Sequence, residues 1–162
     1  MPAISPDYRR KTTYLKDVKA NNTAAQSLTA GSYQTRVLNT VEGNSDIVSL
    51  SSNQFTLQAG TYEIEASVPV TSNTNVSVDA HKAKIRNITD STDVSLGYSL
   101  GARGPAGVIV SNSSEIKARL TITSSKIFEI QQRVGTSTAT GGLAANFGDN
   151  EVYTIVKITK VR

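Results

Sequence analysis

Two stretches of the chain alternate strictly between apolar and polar residues, as half-buried β-strands do. Residues 61 to 70 place an apolar side chain at every second position, and these are Tyr62, Ile64, Ala66 and Val68. Residues 115 to 122 repeat the pattern with Ile116, Ala118, Leu120 and Ile122. Because successive side chains of a strand point to opposite faces, both stretches predict strands with one core face and one wet face.

The rest of the chain contains further short segments rich in Val, Ile, Thr and Ser, which turn residues separate. The predicted strands among them are Tyr33–Leu38, Ile47–Leu50, Phe55–Leu57, Val76–Ile88, Ser95–Leu100, Lys126–Val134 and Val152–Val161. No stretch shows a long helical period. Eight to ten short strands predict an all-β protein and favour a two-sheet jelly-roll sandwich over an up-and-down barrel.

The last predicted strand is apolar on both faces. Val152, Val156 and Ile158 share one face, and Tyr153, Ile155 and Val161 share the other. An antiparallel strand of this kind needs cover on both sides. The core covers one face, so we expect Tyr153, Ile155 and Val161 to form an interface with other copies of the chain.

The first 32 residues differ from the rest. They have little hydrophobic pattern and carry a net charge of +3 out of the +4 of the whole chain. The sequence therefore predicts an extended basic N-terminal arm over residues 1–32 and a nearly neutral β head over residues 33–162. The residues expected to anchor the arm to a partner are Tyr8, Arg9, Arg10, Lys11, Tyr14, Leu15 and Val18. A disordered tail is the alternative interpretation.

Composition excludes several classes of function. The chain has no Cys, which excludes disulfides and thiolate metal sites. No stretch approaches the roughly 20 apolar residues of a membrane span, and no apolar leader follows the first basic residues. We therefore expect synthesis in a cytoplasm and no membrane partner. The basic charge lies in the arm rather than in a stripe with aromatics, so nucleic acid is not an expected partner either.

Three groups of polar residues could carry chemistry, and each has a simpler explanation. His81 is the only histidine, and we expect it at a surface or an interface rather than in catalysis. Glu63 and Glu65 lie roughly 6.6 Å apart on one strand face, which suits a glycosidase pair, but an ordinary wet face has the same pattern. Residues 149 to 151 offer oxygen ligands for calcium but lack a spaced loop motif. We predict no enzyme, no metal and no cofactor.

Several motifs resemble the C1q/TNF-like jelly rolls. The stretch from Phe55 through Gly60 to Tyr62 resembles an early motif of that family, and residues 143 to 153 resemble its loop into the final strand. Residues 35 to 162 are similar to small C1q-like proteins of tailed phages. The shared segments are Ile47-Val48-Ser49-Leu50, Ala59-Gly60-Thr61-Tyr62, His81-Lys82-Ala83-Lys84, Asn87-Ile88-Thr89-Asp90 and Ala145-Asn146-Phe147-Gly148-Asp149-Asn150.

The resemblance implies a compact homotrimer with the final strand near the three-fold axis. It also implies a virion component, and we expect a capsid decoration or head-fibre protein that the arm fastens to the major capsid protein or another virion protein. The alternative is a tail-fibre tip that recognises host surface glycans through the loops at 101–107 and 135–142. A third, more distant interpretation is a hydrolase that uses Glu63 and Glu65.

Overall fold

The computed structural model describes residues 10–72, 78–102, 108–135 and 139–161. They form fourteen β-strands and one short 3₁₀ helix at Ser45–Ile47. In chain order the strands are β1 (Lys11–Lys19), β2 (Ser27–Leu28), β3 (Gln34–Thr35), β4 (Thr40–Gly43), β5 (Ser49–Ser51), β6 (Gln54–Leu57), β7 (Gly60–Thr71), β8 (Val78–Asn87), β9 (Thr92–Leu96), β10 (Leu100–Ala102), β11 (Ser111–Ile122), β12 (Lys126–Val134), β13 (Ala139–Thr140) and β14 (Glu151–Lys160).

The strands form two sheets of seven, and neighbouring strands are antiparallel throughout. The first sheet has the order β2-β13-β7-β14-β1-β4, with β11 paired to the other edge of β7. The second sheet has the order β10-β8-β12-β6-β5, and β9 and β3 pair with β8 and β12. The predicted all-β sandwich of two sheets is confirmed.

The two alternating stretches form the longest pair of strands. β7 and β11 are in register over their full length, from Thr71 opposite Ser111 to Gly60 opposite Ile122. Tyr62 and Ile64 are fully buried. The period-2 pattern therefore predicted correctly which side chains face the core.

One predicted strand, Ser95–Leu100, is broken in two at Gly97. The Gly97 N–H donates to the carbonyl of Ala83 in the second sheet, and the Tyr98 N–H donates to Glu115 in the first. A Cβ at Gly97 would lie 2.5 Å from the Ser114 hydroxyl oxygen. The chain between β9 and β10, which both belong to the second sheet, thus bonds to both sheets at a contact that leaves no room for a side chain.

The predicted arm over residues 1–32 is wrong for its second part. Residues 11 to 19 form β1, which pairs with β14 on one side and with β4 on the other. Leu15 is fully buried in the main core. β2 pairs with β13, and its Leu28 is buried as well. The head therefore begins at β1, and only residues ahead of Lys11 could form an arm.

The charges of β1 explain why its sequence predicts an arm rather than a strand. Its buried positions are Thr13, Leu15 and Asp17, so only one of three is apolar. Lys11 pairs with Asp46 and Lys16 pairs with Glu42 across the sheet. The basic residues thus meet acidic ones from later in the chain, and no sequence pattern reveals pairs that tertiary structure creates.

The core lies between the sheets in two parts. The main cluster includes Phe55 and Phe128, whose stacked rings have centroids 5.7 Å apart. A smaller cluster consists of Leu28, Val70, Val134 and Ala139. Buried polar side chains accompany these apolar clusters, and several of them contact one another.

Candidate functional site

The outer face of the first sheet is the candidate interface, and β14 lies near its centre between β1 and β7. Ile155 of β14 stands opposite Lys16 on one side and Ser67 on the other. Lys157, the next outward residue, stands opposite Tyr14 and Glu65. Ile155 is half-buried and Tyr14 is exposed. Apolar side chains thus occupy the middle of an otherwise polar face.

The charges on this outer face are arranged in columns along the strands. Glu63 and Glu65 form an acidic column on β7, and Lys117 and Arg119 stand opposite them on β11. Arg119 Nη1 is 3.9 Å from Glu63, and Lys157 Nζ on β14 is 3.6 Å from Glu65. The acidic column therefore lies between Lys117 and Arg119 on one side and Lys157 on the other.

The structure gives no support to a hydrolase at Glu63 and Glu65. Their carboxylates line a depression of about 310 Å³ on the open face of the sheet. The side chains are 35% and 54% exposed, and each carboxylate already faces a cation. A general acid of this kind works in a dry, apolar site, whereas both glutamates lie on the open face of the sheet.

The three residues predicted for the trimer interface are all half-buried; Tyr153 and Ile155 lie on the outward side of β14, and Val161 directly follows it. Tyr153 is partly engaged within its own chain, because its hydroxyl donates to the Thr23 carbonyl at 2.8 Å. Burial, followed by the charges of Glu151 and Asp17, raises the pKa of the Tyr153 phenol. The Val161 N–H donates to Thr61. Ile155 is the one of the three that has both β1 and β7 paired beside it, in the interior of the sheet.

Val152 departs from the prediction that it shares the core face with Val156 and Ile158. Those two are fully buried, whereas Val152 is 46% exposed. The register of β1 shifts between Lys16 and Val18, and Val18 is the residue opposite Val152. This irregularity ends the regular alternation at the start of β14.

The residues predicted to anchor an arm are mostly parts of the head. Leu15 has no exposed surface and cannot contact a partner. The Val18 N–H donates to Asn39 Oδ1, and Asn39 Nδ2 donates to the Val18 carbonyl. Arg10 Nη1 lies 3.4 Å from Glu63. Lys11 pairs with Asp46 and Tyr14 belongs to the outer face, whereas Tyr8 and Arg9 lie outside the described residues.

A buried arginine crosses the space between the sheets. Arg36 is fully buried; its Nε donates to Thr154 Oγ1 at 3.2 Å and its Nη2 donates to the Gly141 carbonyl at 3.4 Å. Burial lowers the pKa of Arg36 to about 10, and the negative charge of Asp17 opposes that shift. Arg36 Nη1 and both Asp17 oxygens have no hydrogen-bond partner among the described residues, although Lys19 Nζ is 3.3 Å from Asp17.

His81 is buried rather than at the surface, which corrects the sequence-based expectation. Its Nε2 is 2.5 Å from Asn112 Oδ1, and the Gln132 amide nitrogen is 3.1 Å from its Nδ1. These partners fit a neutral ring that donates from Nε2 and accepts at Nδ1. Burial lowers the pKa of His81; the Asn112 bond opposes the shift, and the charge of Arg36 adds to it. The ring holds β8, β11 and β12 together.

The loop before β14 is organised by Glu151. The Glu151 carboxylate accepts the backbone N–H groups of Asn22, Ala145 and Asn146 at 2.9–3.2 Å, and these bonds lower its pKa. No group of His, Cys, Asp or Glu suited to a metal ion occurs within the described residues. The loop presents Phe147 with 87% of its surface exposed, a feature that no sequence pattern singled out.

Comparisons with known proteins bear on the fold. No family model matches the chain. No curated protein matches it either. Among solved structures, the globular domain of zebrafish complement 1qA protein matches with a TM-score of 0.50 and 12% sequence identity, over 95% of this chain and 98% of that one. Murine APRIL at pH 8.0 matches with a TM-score of 0.53 and 8% identity, over 94% and 99%.

The chain has a C1q/TNF-like jelly-roll fold. A second structure of murine APRIL, at pH 5.0, agrees with a TM-score of 0.53 at 9% identity, again over 94% and 99% of the two chains. The predicted fold class is therefore confirmed. At these identities the likeness shows the fold alone. No helix in the described part of this jelly roll is long and apolar enough to cross a membrane.

Proposed function

We propose that this C1q/TNF-like jelly roll is a non-enzymatic structural protein of a tailed-phage virion, a homotrimer that decorates the capsid. The proposed trimer is supported mainly by the position of Ile155, an apolar side chain on the outward side of a strand near the centre of the first sheet. The virion assignment is supported by the sequence resemblance to small C1q-like phage proteins.

The charge columns on the outer face favour self-association. A three-fold ring joins different parts of neighbouring copies, so the acidic column of one copy can face the basic residues of the next, since each copy offers both signs. Tyr14 and Ile155 would supply the apolar contact between the charged columns. Closure of three copies on this face would bring β14 close to the axis.

The anchor of the proposed decoration protein is shorter than the sequence suggested. β1 begins at Lys11, which stands opposite Lys160 near the end of β14. Residues 1–10 therefore enter the head at the end where the last strand finishes, whereas the loop with Phe147 lies at the start of β14. Tyr8 and Arg9 would then contact the major capsid protein or another virion protein, and three copies would act together.

Two truncations test this proposal. Removal of residues 1–9 should leave a folded trimer, measured by sedimentation, that no longer binds capsids lacking the protein. Removal of residues 1–20 should abolish folding instead, because it deletes β1 and the buried Leu15.

A folded chain without residues 1–9 that still decorated capsids would refute the anchor. A full-length chain that sedimented as a monomer at micromolar concentration would refute the trimer. Recovery of the protein with tails rather than with heads of purified particles would favour the tail-fibre alternative.

A further inference from the structure

A groove on the outer face of the second sheet has no role in the proposed assembly. It has a volume of about 550 Å³ and lies beside β8 and β12. The lining residues that matter here are Tyr33, Ala80, Lys82, Ser99 and Arg133. We call it the Lys82–Arg133 groove. It is on the opposite sheet from Ile155, so it would stay open in the proposed trimer.

Two cations stand directly opposite each other in this groove. Lys82 on β8 and Arg133 on β12 are paired residues of the antiparallel ladder, so their Cβ atoms are roughly 5 Å apart on the same face. Like charges in this arrangement destabilise a sheet. Within the described ranges, neither side chain has an ion pair or a hydrogen bond that would offset the repulsion.

The acidic side chains nearby on this face are already engaged. Asp93 is 2.9 Å from Lys84 and 2.9 Å from Arg86. Glu129 accepts hydrogen bonds from the Gln54 and Gln131 amides at 2.9 Å and 2.6 Å. The groove therefore has a local excess of positive charge that the described part of the chain leaves unbalanced.

The groove offers more than charge. Tyr33 lines it, and its ring is held in place by Lys84, whose Nζ lies 4.1 Å from the ring centroid. The methyl group of Ala80 and the exposed hydroxyl of Ser99 add an apolar and a polar contact. Its volume exceeds that of a single inorganic anion and is within the range of small-molecule sites.

We propose that the Lys82–Arg133 groove binds an acidic saccharide. Lys82 and Arg133 hold the carboxylate of the sugar, Arg133 through the paired donors of its guanidinium. The Tyr33 ring packs against the apolar face of the sugar ring, and Ser99 bonds a sugar hydroxyl. The groove borders Gly135, next to one of the loops expected to recognise glycans. This inference holds whether or not the protein decorates a capsid.

The test uses the full chain and ¹H–¹⁵N spectra, with 3′-sialyllactose as the acidic probe and lactose as its neutral counterpart. Sialyllactose should shift the amides of Tyr33, Lys82 and Arg133 at millimolar concentration, and lactose should not. The Lys82→Gln and Arg133→Gln variants should each bind about tenfold more weakly, as expected for the loss of one charge-assisted contact.

Arg86→Gln is the matched control, because it removes one positive charge from the same sheet face outside the groove. It should leave the affinity unchanged. An equal loss in Arg86→Gln would reveal only general attraction to a basic face and would overturn the proposal. The proposal would also be overturned if 10 mM sialyllactose shifted none of these amides. It would be overturned as well if inorganic phosphate bound at these amides as tightly as sialyllactose, since the sugar contacts would then contribute nothing.

Discussion

The guanidinium of Arg36 joins the two sheets from inside the sandwich through its 3.2 Å hydrogen bond to Thr154. The backbone N–H of Arg36 donates to Ile130 in the second sheet, while Thr154 belongs to β14 in the first. Burial of a charged side chain requires that its donors find partners. Thr154 and the Gly141 carbonyl supply two of them, so this contact fixes how β13 and β14 lie over the second sheet.

Gly141→Ala should destabilise the fold through Arg36. A Cβ at Gly141 would lie 2.1 Å from Arg36 Nη1, and a fully buried guanidinium has little room to move. Overpacking of this kind typically costs about 1–3 kcal/mol of unfolding free energy, which urea denaturation measures. In an Arg36→Met background the same substitution should cost much less. Purely additive effects of the two substitutions would show that the clash does not occur.

The stability of the fold should depend on pH because of His81. Burial lowers the pKa of His81 below its ordinary value of 6.5, so the unfolded chain takes up a proton before the folded one does. The contribution of neutral His81 to the free energy of unfolding is complete above pH 6.5. It is lost as the pH falls from there through the pKa of His81 in the folded protein. Thermal melts between pH 7.5 and 5 should show a falling midpoint.

His81→Gln is the control for that experiment. Because His81 is the only histidine in the chain, the variant should have a lower midpoint that stays nearly constant over the same pH range. A variant that kept the full pH dependence would assign the effect to other groups.

Glu151→Gln should loosen the loop before β14. One Glu151 oxygen, Oε2, accepts the N–H of Ala145, and the other, Oε1, accepts the N–H groups of Asn22 and Asn146. The substitution turns one of these oxygens into an NH₂ group, which cannot accept a hydrogen bond. Hydrogen exchange of at least one of these amides should speed up, while Val156 in the middle of β14 should remain protected. Unchanged exchange at all three would contradict the role given to Glu151.

Acid should produce the same loosening in the native protein. The three backbone bonds lower the pKa of Glu151 below its ordinary value of 4.5. Their contribution is therefore present above pH 4.5 and is lost as the pH falls through the folded pKa. Exchange experiments at decreasing pH, corrected for the intrinsic rate, should detect it at the amides of Asn22, Ala145 and Asn146.

Ile155→Glu should dissociate the proposed trimer. A carboxylate at this position would be desolvated at the centre of the outer face, among three copies of itself. Sedimentation at micromolar concentration should then show a folded monomer. Ile127→Glu is the matched control, because Ile127 is 39% exposed on the outer face of the other sheet. If both variants stayed trimeric, the interface would lie elsewhere.

The fold class and several of the strands followed from the sequence. The alternation in residues 61 to 70 and 115 to 122 predicted β7 and β11 because a half-buried strand needs an apolar side chain at every second position. β12 was predicted with its observed bounds, Lys126–Val134. The local pattern is enough to predict a strand and its buried face where each inward position is apolar.

β1 shows where that reasoning failed. Two of its three buried residues are polar. Its lysines face acidic partners 26 and 35 residues away or on its own strand. His81 failed for the same reason, since its ring is buried against Asn112 and Gln132 from two other strands. A polar residue can be buried only where tertiary structure brings it a partner, and the sequence does not show which partner that is.

The sequence by itself determined a cysteine-free, all-β jelly roll with a two-faced last strand. The tertiary structure decided that residues 11 to 32 belong to the head, that Arg36 and His81 are internal, and that Lys82 and Arg133 stand side by side. The physical reason is the range of the interactions. Alternation of side chains is a property of consecutive residues, whereas charge pairs and buried hydrogen bonds depend on register between strands that are distant in the chain.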